Sequence, residues 1–263
     1  MSQEETDSPE PRRTTFRRIG APLSATARTL WLLLSSLARL TVRWLSHAPA
    51  TTVVTVALTL MSATYWVWRD QFNVLEASPS PSHWWSIFSS VGAVPGHFLA
   101  TAVLGIATMI VAGGAAERHL GTRVWIAAAL AGQVVGVTAT WATLPLLKRA
   151  ITEWGQAIGE GTLWGTSLLL IALAGAAVQS LGARWRWRAR FLLVGVLVLS
   201  SAILGSAISY ARVWALLAGM TAARLLGVRG SNADSTDEVT AGRQLASVSA
   251  LCWACVAALT VVS

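Results

Sequence analysis

All four histidines of this 263-residue chain, His47, His83, His97 and His119, stand in its first half. Histidine is the side chain most readily used as a general base near neutral pH. A serine activated by one must therefore find it there. His97 opens an apolar stretch, Gly96-His97-Phe98-Leu99-Ala100-Thr101, and positions 97 and 101 share one helix face. The stretch closes on Gly113-Gly114-Ala115-Ala116-Glu117-Arg118-His119-Leu120-Gly121, a charged turn before the next apolar stretch. A helix-start cap or an interfacial position is the plainer role for His97. Gly165-Thr166-Ser167 keeps a serine, although Ser and Gly are also common where membrane helices touch. Cys252-Trp253-Ala254-Cys255 has redox spacing but lies mid-helix in an apolar segment, where ordinary packing suits it better. The sequence holds no Gly-rich phosphate loop, metal-ligand cluster or heme motif, so no cofactor and no metal are expected.

The elements that must position these residues are read from composition. Hydrophobic residues make up 54% of the chain and charged ones 12%, about half the soluble average. With a mean hydropathy of +0.56, this predicts an integral membrane protein. The net charge of +8 would suggest nucleic acid in a soluble chain. Here the basic residues cluster between alternate apolar stretches, so topology explains them, and no nucleic-acid partner is expected. Lys148 is the sole lysine; with abundant alanine this points to a bacterial, GC-rich source.

Residues 1–26 read as a disordered cytoplasmic tail. Over 27–46, Leu30, Leu33, Leu34, Leu37, Leu40, Trp44 and Leu45 share a face opposite Arg28, Arg39 and Arg43, which predicts a helix lying in the interface. Ordinary packing against the bundle is the alternative. Spans are expected at about 49–68, 96–115, 123–145, 161–181, 191–208 and 210–228, each near the ~20 residues that cross the hydrocarbon. A linker, 229–243, leads to a seventh span within 244–263. Arginine bias, densest in Arg184-Trp185-Arg186-Trp187-Arg188-Ala189-Arg190, predicts a multi-pass cell-membrane protein with a cytoplasmic N-terminus. The bilayer is then its first partner. The long first external loop, 69–95, with His83, Trp84 and Trp85, suits an interfacial position.

The helix opening on His97 and closing on Glu117-Arg118-His119-Leu120-Gly121 resembles the second transmembrane helix of rhomboid intramembrane proteases. The resemblance covers about 49–228, within a rhomboid-like membrane domain expected over 47–228. It implies an all-α rhomboid-like six-helix bundle, here with an additional C-terminal transmembrane helix. It also implies a serine–histidine dyad on the fourth and sixth helices, with a histidine and an asparagine of the second helix stabilising the oxyanion. His97 matches that histidine, and Thr101 stands at the asparagine position.

On the fourth helix, aligning the family's aromatic-glycine pair on Trp164-Gly165 puts Glu160 at the serine position. A second placement puts Leu163 there, and a third keeps Ser167 but loses the glycine that should follow. The first two are preferred. On the sixth helix Arg212 replaces the histidine, and arginine stays protonated. The small ridge Ala207, Ala211, Ala215, Gly219, Ala223 and Gly227 is retained. Glu160 and Arg212 either form an intramembrane ion pair or sit apart in headgroups. The resemblance thus implies a catalytically inactive relative that binds or holds transmembrane client proteins. The alternatives are an active serine endopeptidase using Ser167 and, further off, a transporter.

Overall fold

The structure, a computed structural model, describes residues 46–67, 99–160, 163 and 166–228. All described residues lie in one unit, Leu45–Ser263. The tail, the amphipathic stretch up to residue 45, the loop 69–95, His97, the linker 229–243 and the seventh span with Cys252 and Cys255 lie outside the described residues.

Every described element is helical except one isolated bridge at Leu163. Helix α1 is Pro49–Val67, α2 is Leu99–Thr108, and a π-helical turn, Met109–Gly113, joins it to α3, Gly114–Leu120. Then follow α4 (Thr122–Ala150), α5 (Thr152–Glu160), α6 (Ser167–Gln179), α7 (Ala183–Leu204) and α8 (Ala207–Leu225). Two stretches, Thr122–Ala150 and Trp185–Leu204, are long and apolar enough to cross a membrane. Val53, Leu60, Val111, Phe191, Leu192, Leu199 and Ile203 are large, apolar and exposed, an outer surface suited to lipid rather than water. Hydroxyls of Thr59, Thr64, Thr138, Thr140 and Thr221 each donate to the carbonyl four residues earlier. That satisfies them without water.

The core is built from α4, α6 and α8. Helix α6 is buried along its whole length from Leu168 to Gln179. Small residues bring the backbones together: a Cβ on Gly132 would lie 2.2 Å from Ala172 Cβ, and one on Gly175 would lie 2.5 Å from Leu216 O. Ala207, Ala211, Ala215, Gly219 and Ala223 of α8 form the buried ridge. Gly227 does not belong to it. It lies beyond the end of α8, exposed, with φ +76°, and stops the helix as left-handed glycines do.

Glu117 ties the first helices together. Its Oε1 accepts from Ala50 N (3.0 Å) and from Thr122 Oγ1 (2.8 Å), and its Oε2 from Thr51 N (2.7 Å). A carboxylate in α3 therefore caps the first turn of α1, whose backbone N–H groups have no intrahelical acceptor. Burial alone would raise this carboxyl's pKa. The donations from Thr51, Ala50 and Thr122 outweigh it and hold the pKa below the usual carboxylate range. Next to it Gly121 turns the chain with φ +79°, and Trp125 Nε1 donates to Gly113 O (2.9 Å) at the end of the π turn.

Three local features depart from the sequence expectation. The stretch 152–160 forms α5, packed so tightly on the end of α4 that a Cβ on Gly155 would lie 2.6 Å from Lys148 N and Cα. Lys148 thus ends a helix rather than sitting in a loop. The fourth helix begins at Ser167, not near 161. The arginine–tryptophan run forms the first turns of α7, which starts at Ala183. Charge marks where an apolar stretch ends, but these residues are good helix formers, and Arg186 Nε and Nη2 both donate to Leu181 O in the preceding turn.

Candidate functional site

Helix α6 has 13 residues, about 20 Å of rise, against 29 residues in its neighbour α4. Its C-terminal end is tied to the Glu117 turn: His119 Nε2 lies 2.6 Å from Ser180 Oγ, which itself donates to Ala177 O. Because that hydroxyl has one proton, His119 Nε2 is the donor. The opposite end, at Ser167, therefore stops short inside the bundle, enclosed by longer neighbours.

Ser167 is the first residue of α6, and its Oγ is buried with no hydrogen-bond partner among the described residues. Gly136 of α4 fixes what lies beside it. A Cβ there would meet Leu168 Cδ1 at 3.4 Å, Ala211 O at 3.2 Å and Ala215 Cβ at 3.4 Å. Leu168 follows Ser167 and Ala211 precedes Arg212, so the two positions stand at one level of the bundle. Farther along, Gly175 meets Leu216 and Met220, which keeps the same offset and shows that α6 and α8 run parallel. Arg212 is 7% exposed. A buried guanidinium and the positive end of the α6 dipole thus share one end of the core. They can hold an anion or polarise a carbonyl; they cannot remove a proton.

Glu160 ends α5, two residues after Ile158. Ile158 and Leu163 are fully buried in one apolar cluster with Leu168, Ala207 and Ala211. Thr101 lies on α2, one turn before Gly105, where a Cβ would lie 4.0 Å from Thr166 Oγ1. The positions singled out in the sequence, His97 aside, thus come from the elements that meet at the recessed end of α6. Both described histidines, His47 and His119, belong to the other end, beside the Glu117 turn. Lys148, exposed, crosses Gly159.

Sequence reasoning missed an aromatic group over the same end. Trp154 of α5 meets Tyr210 edge-on (5.8 Å), and Tyr210 meets Trp214 likewise (6.3 Å). Tyr210 donates to Thr143 Oγ1 (3.0 Å) and Trp154 Nε1 to Ser201 O (3.2 Å). The signal was present: Tyr210 and Trp214 are four apart, hence one face of α8. Comparisons of the chain with protein-family models, curated proteins and solved structures gave no match.

Proposed function

We propose that this protein is a rhomboid-like integral membrane pseudoprotease that binds or holds transmembrane client proteins. In this account the chain crosses the cell membrane several times from a cytoplasmic N-terminus, and the Glu117 turn is on the cytoplasmic side. The observation that carries it is Arg212, a permanent cation buried level with the start of the central helix. The resemblance implies a histidine at that position. The recessed end of α6 supports a cavity opening away from the cytoplasm, as a site for a client segment requires. Glu160 is proposed as the partner of Arg212 there, with Thr101 and His97 as relics of the oxyanion side.

A photo-crosslinking residue at Trp154, in the aromatic group, tests client binding. Adducts with intact single-pass membrane proteins are the expected result. Adducts only with cleaved fragments would contradict it. A second reading has one observation in its favour: Ser167, at a helix N-terminus with an Oγ that makes no hydrogen bond among the described residues, suits a nucleophile. An active serine endopeptidase would then need a base other than histidine on α8.

A further inference from the structure

At the end of the bundle where α6 gives way to α7, three arginines converge. Arg186 and Arg190 stand one turn apart on α7 and so share a face. Arg186 donates to Leu181 O, and Arg190 Nη2 donates to Gln179 Oε1, so both lean over the turn after α6. Arg224 is exposed in the last turn of α8. The neighbouring Ala189 and Ala223 pack into one apolar cluster, which holds the two helices together there. None of the three has a carboxylate partner among the described residues, and Arg190 Nε is buried with no hydrogen bond among them. Like charges gathered without an anion repel, and a buried donor left unmade calls for an occupant.

Beside this cluster, on the flank of α7 next to Arg190, lies a bare apolar strip that holds Phe191 and Val198, 75% and 49% exposed. Exposed Trp187, one turn before Phe191, continues it, as in an interfacial aromatic belt. Guanidinium forks match phosphate oxygens, and the strip matches acyl chains. We propose that Arg186, Arg190 and Arg224 bind the phosphate of an anionic phospholipid headgroup at the cytoplasmic end of the bundle. Basic pockets between membrane helices take such headgroups. Free phosphate shares the head's chemistry but would leave the apolar strip unused. The proposal rests on the membrane account above and is independent of catalysis.

The test uses the full chain in detergent, with native mass spectrometry and thermal shift. Phosphatidylglycerol should remain bound and raise the melting temperature, whereas phosphatidylcholine with the same chains and inorganic phosphate should not. Arg190→Gln should weaken the phosphatidylglycerol preference about tenfold, the scale of one lost charge-assisted hydrogen bond. Arg224→Gln, outside the hydrogen-bonded turn, should weaken it without affecting folding. Arg188→Gln, on the other side of α7, should not change it. Equal binding of both lipids, equal effects of Arg188→Gln and Arg190→Gln, or phosphate binding as tightly as phosphatidylglycerol would overturn the site. So would lipid binding that emerges only when Asp234, Asp237 and Glu238 are neutralised, since the chain's own acidic segment would then be the occupant. A chain that stays monodisperse without detergent would defeat the membrane account instead, which separates the two failures.

Discussion

Gly219 touches the backbone of Ala172: a Cβ at Gly219 would lie 2.0 Å from Ala172 O and 2.7 Å from its Cα. Helices α6 and α8 are therefore in backbone contact, and close approach of this kind is how membrane helices gain packing energy. Gly219→Ala and Gly219→Leu should each destabilise, by about 1–3 kcal/mol or more, as overpacking does. Gly195→Ala, mid-α7 with open space around it, should stabilise by up to ~1 kcal/mol through helix propensity. Thermal unfolding in one detergent compares them. Equal melting temperatures for the Gly219 and Gly195 variants would show that the α6–α8 contact is not tight.

Glu117 makes the fold pH-sensitive in a defined direction. Its folded pKa lies below its unfolded one, so its contribution is complete above the unfolded carboxyl pKa and is lost as pH falls through the folded value. Hydrogen bonds to a charged group contribute about 1.5–3 kcal/mol each. Glu117→Gln should lower stability at pH 7 and flatten its fall on acidification. An acid unfolding curve parallel to that of the unsubstituted chain would remove Glu117 from this role.

The proposed pairing of Glu160 with Arg212 predicts non-additivity. Leaving a buried guanidinium uncompensated costs about 3–5 kcal/mol. Glu160→Gln and Arg212→Gln should each destabilise, and the double substitution should recover part of the loss. Additivity within ~0.5 kcal/mol would separate the two residues.

Topology is testable directly. Single cysteines introduced into Cys252→Ser/Cys255→Ser protein, one in the tail and one after Ser263, should label from opposite sides of the membrane. Labelling from the same side would contradict seven crossings.

The helices were largely legible in the sequence, because apolar length is a coarse property that survives local detail. The stretch expected at 49–68 is the helix Pro49–Val67, and that expected at 123–145 lies inside Thr122–Ala150. The ridge through Ala211, Ala215 and Gly219 was legible for the same reason, as a four-residue repeat. Glu117 was noticed as part of a turn, but its partners Ala50 and Thr51 lie 67 and 66 residues away, a pairing that no local pattern encodes. Helix α5 escaped notice because nine residues folded against Lys148 and Leu144 have no apolar run of their own. Ser167 was ranked behind Glu160 and Leu163 by motif alone. Its place at the start of the buried helix, with its Oγ enclosed, depends on where α6 begins, which Gly161-Thr162-Leu163-Trp164-Gly165 does not specify.

In a pseudoprotease the recessed end of α6 holds no working dyad. A serine protease needs a base within hydrogen-bond reach of its nucleophile, and Arg212, a permanent cation, stands where the rhomboid resemblance implies that base. The direct measurement is reaction of the full chain in membranes with a fluorophosphonate probe, beside Ser167→Ala. Neither protein should be labelled. Labelling of the unsubstituted chain that disappears in Ser167→Ala would contradict it and establish Ser167 as a nucleophile.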